Sequence, residues 1–305
     1  MHLTLRQLEI FVAIAETGST SAASQRIALS QSAVSGALRE LEHLLDTQLF
    51  DRLGKRLSLN DTGRALLPRA LVALEAARDI TRSFEAGAAA GGAAGEQPVH
   101  LCLGASTTIG NYLAPAIMAD FLSRRPQATL DLFIGNTREV AAAVARLEID
   151  LGLIEGPCHD PTLRVTPWQE DELVVVCAPG HPLAALPPAA RTPQALRAAR
   201  WLLREAGSGT GEAAERILLP QLDHFERPLR LGSTEAIKQA AAQGLGLACL
   251  SRCAVEDLLA LGRLTVLDTR LGTLSRRLYL VRHPARRLSP GIQAFLACCG
   301  VTTET

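Results

Sequence analysis

Near the start of the chain, apolar residues recur every three or four positions in two short runs separated by a tight polar stretch. Within GSTSAASQRIALSQSAVSGALRELEHLL the first run carries Ala22, Ala23 and Ile27. The second carries Val34, Leu38, Leu41 and Leu45, stepping by four, three and four. This spacing predicts two short helices. Ser19 or Thr20 is placed to cap the first and Ser30 the second, since a short side-chain oxygen there accepts from otherwise unsatisfied first-turn amides. After Leu49-Phe50 the run DRLGKRLSL predicts two strands turning at Gly54. Asn60-Asp61-Thr62-Gly63 then opens a long helix through about Glu85, with Leu67, Ala70, Leu71, Leu74, Ala77, Ile80 and Phe84 toward one face. Pro68 removes one of its backbone bonds and predicts a kink. The apolar stripe needs a cover: a two-fold mate is the economical one, and packing on its own domain is the alternative. From Gly87 to Gly95, GAAAGGAAG has nothing to build a core with and predicts a flexible linker.

From Val99 strands alternate with helices. Strands are expected at Val99–Leu103, Thr129–Ile134 and Asp150–Ile154, with helices at Tyr112–Arg124 and Glu139–Leu147 between them. Such a βαβαβ layout implies a parallel sheet with right-handed crossovers. A second set begins at Leu173–Cys177 and continues through Trp201–Leu203, Leu229–Leu231 and Gly246–Leu250. The strand Arg276–Val281 and the helix Gly291–Ala297 return to the first lobe. The expected organisation is a winged helical domain with a small β wing over 1–60, a long helix and Gly/Ala-rich hinge over 61–97, and a two-lobed α/β domain over 98–300. Lobe one covers about 98–168 and 270–300, and lobe two about 169–269.

Ligands of open α/β sheets bind beyond the carboxyl ends of the strands, between lobes. Those ends carry Ser106, Thr107 and Thr108, then Asn136 and Thr137, then Glu155; the second lobe adds Ser208 and Thr210, and Ser233 and Thr234. All but Glu155 are small hydroxyl or amide residues beside expected helix starts, where free amides and the helix dipole favour an anion. Their recurrence points to a small oxyanion or carboxylate. Glu155 repels an anion unless it is protonated or paired; a protonated ligand or an amine is its alternative partner. Gly207-Ser-Gly-Thr-Gly211 lacks the GK[ST] of a nucleotide phosphate loop, which excludes nucleotide hydrolysis.

The two capped helices have the layout of a helix-turn-helix, whose second helix lies in the major groove of DNA. Its outward face carries Gln31, Ser32, Ser35 and Arg39, suited to base edges and phosphates, and Ser21 joins them from the first helix. Arg52, Lys55 and Arg56 sit near the wing tip, placed to grip phosphates. Residues 1–64 nevertheless hold seven basic and seven acidic side chains, so affinity must come from where the charges sit and from dimerisation.

The whole chain of 305 residues has zero formal charge, which argues against indiscriminate coating of nucleic acid. A hydrophobic content of 48% with few aromatics fits an α/β protein. No 18-residue apolar run exists, and the amphipathic start with Arg6 and Glu9 is not a signal peptide, so a cytoplasmic protein with no membrane partner is expected. Seven cysteines without a repeating spacing indicate reduced thiols. Cys249 and Cys253 fall four apart on an expected helix, and Cys298-Cys299 are vicinal. Cys158-His159 has no partner donors in its spacing, so no metal site is assigned. No nucleophile elbow, metal-ligand spacing or cofactor fingerprint occurs, which leaves no catalytic residues and no cofactor. A transporter's solute-binding protein would share the cleft, but it would need an export signal and has no use for residues 1–64.

Together, LRQLEIFVAIAETGS, AAS, LSQSAVS, LRELE and LFDRLGKRLSLNDTG, from Leu5 to Gly63, resemble the winged helix-turn-helix of LysR-type transcriptional regulators. The resemblance continues to about Ala297. It implies a periplasmic-binding-protein-like effector domain, double-stranded promoter DNA as partner, and a homodimer that assembles into a homotetramer. RNA polymerase is a further candidate partner. Two positions depart from the pattern: Ser32 stands where many members have Pro, and Gly36 where many have Arg or Lys. The glycine costs roughly 0.5–1 kcal/mol of helix stability relative to alanine and removes a DNA contact. GASTTIGNYLAP, IGNTREV and DLGLIEGP are most similar to the CysL-like branch, activators of sulfite reductase and sulfur assimilation, which implies a sulfur oxyanion such as sulfite as effector. Some members sense oxidants through cysteines, so a redox-sensing regulator is the alternative.

Overall fold

Serine and threonine oxygens set where the first helices begin. The structure, a computed structural model, describes residues 2–54, 56–89, 99–272, 274–286 and 288–301. It divides into two units, 1–98 and 99–305. In the first, helix α1 (Leu5–Thr17) opens with a capping box between Thr4 and Gln7. Ser19 caps α2 (Thr20–Arg26) and Ser30 caps α3 (Gln31–Leu44), accepting from the amides of Ala22 and Ala33. Leu8, Phe11 and Ile14 pack with Ala23, Val34, Leu38, Leu41, Leu49 and Phe50 in one core. Leu45 departs from the expected stripe: it is the C-cap of α3, where the chain turns away, and stays 38% exposed.

Strands β1 (Phe50–Leu53) and β2 (Arg56–Leu59) pair antiparallel, with Leu53 opposite Arg56. Gly54 turns them at φ +63°, and Lys55 lies outside the described residues. Helix α4 (Asp61–Ala89) runs through Pro68. It starts against the core at Gly63, where a Cβ would stand 2.1 Å from the Leu49 carbonyl oxygen. The stripe expected to seek a two-fold mate packs first on its own domain. Ala70 and Leu74 are buried in the core above, and Leu66, Leu67 and Leu71 pack against it. The helix also outruns its expected end near Glu85, so Gly87 to Ala89 are helical; residues 90–98, with the rest of the expected linker, lie outside the description.

The second unit begins with β3 (His100–Ser106). Then come a π-helical turn (Ile109–Leu113) leading into α5 (Ala114–Arg124), β4 (Thr129–Gly135), α6 (Thr137–Ala145) and β5 (Leu151–Glu155). Next are β6 (Arg164–Cys177), α7 (Pro182–Ala185), α8 (Pro193–Ala198), β7 (Arg200–Arg204) and α9 (Gly209–Leu222). The chain closes with β8 (Arg227–Leu231), α10 (Thr234–Ala242), β9 (Leu247–Ser251), α11 (Arg252–Ala260), β10 (Thr265–Val266), β11 (Ser275–Arg282) and α12 (Pro290–Cys298). The strand order is β4-β3-β5-β11-β6-β9-β7-β8, with β10 on β6.

The expected parallel sheet is corrected to a mixed one. β3 is parallel to β4 and β5, and β7 to β8 and β9, but β6 and β11 run antiparallel to their neighbours. The apolar run Leu173–Cys177 is likewise not a separate first strand; it is the end of the 14-residue β6. That strand pairs with β11 up to Glu172 and with β9 from Leu173, so it belongs to both lobes. The polar first half of β6 hid its strand character, because its outward side chains break the apolar run. Cys249 lies on β9 and Cys253 on α11, so the two do not share a helix. Each lobe sheet is covered on both faces. Phe121, Phe295 and Leu101 lie on one side of lobe one and Val140, Val144 and Ile149 on the other; Trp201 and Leu218 face Ile237 and Leu258 across lobe two.

Leu41 is fully buried and Leu45 is not, which separates their expected effects. Leu41→Ala lowers the stability of the N-terminal unit by about 2–5 kcal/mol, and Leu45→Ala stays within about 0.5 kcal/mol. Denaturant unfolding of the two variants checks this.

Candidate functional site

On the first unit, Ser21, Gln31, Ser32, Arg39, Arg52 and Arg56 are exposed and Ser35 is half-buried. The Ser32 hydroxyl lies 3.0 Å from that of Ser30, so this residue is tied to the capping group at the start of α3. Gly36 faces open space, with no atom within 4 Å of where its Cβ would sit. The even charge count hides an uneven arrangement. Arg6 pairs with Glu9, Arg26 with Glu16, and Arg64 with Asp61. Arg39, Arg52 and Arg56 are in no ion pair among the described residues. Within residues 1–64 the described guanidiniums outside any ion pair are therefore those of α3 and the wing; Arg69 on α4 is a further one.

In the second unit the strand ends converge on Glu155, at the end of β5. This residue is buried, and its carboxylate is fully engaged. Oε1 accepts from Ser106 Oγ (2.9 Å) and from the amides of Thr108 (2.6 Å) and Ile109 (3.3 Å). Oε2 accepts from the Thr210 hydroxyl and from Arg276 Nη1 (2.8 Å). Arg276 reaches across from β11, and its Nε also donates to Asp171 on β6 (2.7 Å). Burial by itself would raise the Glu155 carboxyl. Arg276 and the hydrogen bonds from Thr210, Ser106 and Thr108 outweigh burial and hold it below the ordinary glutamate range. The repulsion expected between Glu155 and an anion is thus cancelled by pairing. Helix-start amides that suit an external anion are occupied by the protein's own carboxylate. Thr108 Oγ1 and Arg276 Nη2 are buried there without a hydrogen-bond partner among the described residues.

Beside this pair the lobes touch directly. Thr137 Oγ1 donates to the Glu155 carbonyl (3.1 Å) and accepts from the Gly209 amide (3.2 Å). A Cβ on Gly209 would stand 1.4 Å from that carbonyl oxygen, so only glycine permits this approach. Ser208 and Ser233 serve their own helices as caps, accepting from the amides of Gly211 and Ala236. Asn136 caps α6 and its amide reaches Glu205 (3.4 Å).

Thr107 and Thr234 are joined by a residue that the strand-end reading missed. Arg204 closes β7 with its side chain only 2% exposed. Its Nη1 donates to Thr107 Oγ1 (2.9 Å) on one lobe and to Thr234 Oγ1 (2.7 Å) on the other. Its Nε and Nη2 form a fork on Glu205 (2.7 and 2.8 Å). Lys238, also missed, donates to the Tyr112 hydroxyl across the cleft (2.9 Å) and pairs with Glu235 and Asp257. The expected residues therefore form two clusters. One surrounds Glu155, with Ser106, Thr108, Thr137 and Thr210; the other surrounds Arg204, with Thr107 and Thr234.

Six of the seven thiols are held toward the neutral, protonated form. Burial pushes Cys177 up to about 11 and Cys249 and Cys299 up to about 12, and it raises Cys158, Cys253 and Cys298 as well. Among the described residues, no helix is long and apolar enough to cross a membrane.

Comparison with known proteins agrees with both units. Residues 5–64 match the family described as bacterial regulatory helix-turn-helix protein, lysR family, and residues 94–302 match the LysR substrate binding domain. The chain is 46% identical over 299 residues to the uncharacterized HTH-type transcriptional regulator YeiE of Escherichia coli strain K12, covering 98% of each. It is 32% identical to the RuBisCO operon transcriptional regulator of Allochromatium vinosum (97% of this chain, 95% of the relative). Identity to the HTH-type transcriptional regulator CysL of Bacillus subtilis is 30% (95% and 94%). A full-length OxyR variant from Pseudomonas aeruginosa shares the fold at 22% identity, with a TM-score of 0.66 over 99% of this chain and 96% of that one. The CcmR regulatory domain of Synechocystis PCC6803, solved in complex with 2-PG, is 32% identical with a TM-score of 0.59 over 67% of this chain and 97% of its own.

Because the folded Glu155 carboxyl titrates below its unfolded value, its stabilisation is present above about pH 4.3. It is lost as the pH falls through the lower folded value. Glu155→Gln leaves Arg276 with Asp171 alone. The expected loss for the second unit at neutral pH is near the low end of the ~3–5 kcal/mol seen when a buried pair is broken. The acid limb of its stability–pH curve flattens at the same time. Unfolding at a series of pH values, for both forms, measures the two effects.

Proposed function

The chain belongs to the LysR family of bacterial transcriptional regulators, and we propose that it is switched by a small anion held between its lobes at Arg204. It is a DNA-binding regulator rather than an enzyme. The observation that carries the effector reading is the buried Arg204 guanidinium, bonded to Thr107 on one lobe and Thr234 on the other. A cation at the start of α10 opposes the helix dipole. An anion there answers the guanidinium, the dipole and both hydroxyls at once. Glu205 is the resident counter-ion and is 29% exposed, so it can yield to a ligand. Asn136, Ser208 and Ser233 flank this site, and the Glu155 cluster with Ser106, Thr108, Thr137 and Thr210 forms its floor. The effector shifts the population between lobe arrangements by binding one better than the other.

Among small anions, a sulfur oxyanion such as sulfite is the specific proposal. Its support is the similarity to CysL. The RuBisCO operon regulator is as similar overall, and the 2-PG bound by CcmR marks small anions generally as the class to test.

For DNA, the proposed contacts are Gln31, Ser32, Ser35 and Arg39 to base edges, with Ser21, Arg52, Lys55 and Arg56 to phosphates. The proposed organisation is a DNA-binding domain over 1–60, a linker over 61–97 and an effector domain over 98–300. Among the described residues Leu74 is the last of α4 in the core, and the helix runs about 22 Å from there to Ala89. That extension is the proposed seat of a homodimer reading half-sites about 34 Å apart, or multiples of it.

Two measurements on the same protein test the reading. In a thermal-shift series of sulfite, sulfate, phosphate and small carboxylates, one anion at a hundred times its Kd is expected to stabilise the second unit by about 2.7 kcal/mol. Thr107→Ala and Arg204→Lys remove that response and keep promoter affinity in a gel shift. Arg39→Ala keeps the response, weakens promoter binding by about 1–3 kcal/mol and relaxes its sequence preference. Silence for every anion, or equal loss of both activities in Thr107→Ala, sinks the proposal.

A further inference from the structure

At the opposite end of β3 and β4 from the cleft, three donors of different chemistry converge. His100 and Cys102 alternate along β3 and so share a face, and the parallel register sets Cys102 opposite Asp131 on β4. His100 Nε2 lies 3.4 Å from Cys102 Sγ and 3.4 Å from Asp131 Oδ2. All three donor atoms lie within 4.8 Å of one another. The other ring nitrogen, Nδ1, is 2.7 Å from Thr129 Oγ1, the residue opposite His100 in the register. With Nδ1–H donating to that hydroxyl, Nε2 presents its lone pair to the sulfur and the carboxylate, the arrangement that orients a metal-binding imidazole. Cys102 is in no disulfide, and its amide is fixed by the buried Asp150 carboxylate at 2.7 Å.

From these distances we infer a transition-metal site of the zinc(II) class at His100, Cys102 and Asp131. Ordinary zinc bonds of about 2.0–2.3 Å at a tetrahedral angle place nitrogen and sulfur about 3.5 Å apart, and nitrogen and oxygen about 3.4 Å apart. The two separations measured from Nε2 fit that geometry, and the third, from Sγ to the carboxylate, lies within 4.8 Å. One thiolate and one imidazole select zinc-like ions over magnesium or calcium, which take oxygen ligands. The Asp131 side chain is 75% exposed and that of His100 26%, so the ion has an entry path and a fourth position open to water or another donor. Binding releases the Cys102 thiol proton and forms the metal–sulfur bond, with no change of oxidation state. The site lies where β3 enters the second unit, whose first residue is Val99.

Cobalt(II) is the probe, because its thiolate complexes absorb and zinc's do not. Full-length, reduced, chelator-treated protein titrated with Co(II) is expected to develop a thiolate-to-cobalt charge-transfer band that saturates at one equivalent and is bleached by Zn(II). Cys102→Ser abolishes the band and Cys158→Ser leaves it intact. Asp131→Asn, at an exposed side chain where folding is not at stake, weakens binding by about tenfold or more. Absence of the band, or a band that survives Cys102→Ser, overturns the assignment and leaves an imidazole-centred hydrogen-bond cluster. An Asp131→Asn protein that binds as tightly as the parent removes the carboxylate from the site and also overturns it.

Discussion

A carboxylate and a guanidinium, each buried, meet where two lobes come together. Neither Glu155 nor Arg276 is tolerable there alone, since an unpaired buried charge loses its hydration without compensation. Together, with Asp171, Ser106, Thr210 and two helix-start amides, they form a network that engages both Glu155 oxygens and ties β5, β6, β11 and α9 to one point. The remaining electrostatics of the cleft follow from it. Because the protein's own carboxylate consumes Arg276 and the amides at Thr108 and Ile109, the buried arginine that bridges the lobes outside this network is Arg204, whose partner Glu205 is near solvent.

The first unit solves a similar problem with surface charges. An equal number of acids and bases gives no attraction to a polyanion at long range. Pairing Arg6, Arg26 and Arg64 with nearby carboxylates leaves Arg39 on α3 and Arg52 and Arg56 on the wing as arginines outside any ion pair among the described residues. Binding built this way is short-ranged and depends on the second copy. That suits a protein which must leave most of the chromosome unoccupied.

The sequence made legible what depends on neighbours a few residues away. The caps at Ser19 and Ser30 and the burial of Val34, Leu38 and Leu41 follow from local periodicity. Leu45 misled because it continues the same step one position past the last helical turn. Leu67, Leu71 and Leu74 were rightly seen as a face to be covered; an amphipathic pattern says that a stripe is buried, but not against what. The strand ends supplied the hydroxyls of the cleft, yet neither arginine that organises them. Arg204 is 97 positions from Thr107, and Arg276 is 121 from Glu155. Contacts that long arise only when the folded chain brings the lobes together, with β6 running through both. The dual role of β6 was hidden for the same reason.

Gly209 bears on how such a protein can change over time. The lobes approach there so closely that a Cβ on Gly209 would stand 1.4 Å from the Glu155 carbonyl oxygen, with the Thr137 hydroxyl bridging the Gly209 amide and that carbonyl. A single added methyl group is a wedge at that seam. It acts on how closely the lobes approach without touching Arg204, Thr107 or Thr234. The set point of the switch and the identity of its signal are thus adjustable at different codons, so a lineage can retune its baseline output while keeping the same effector.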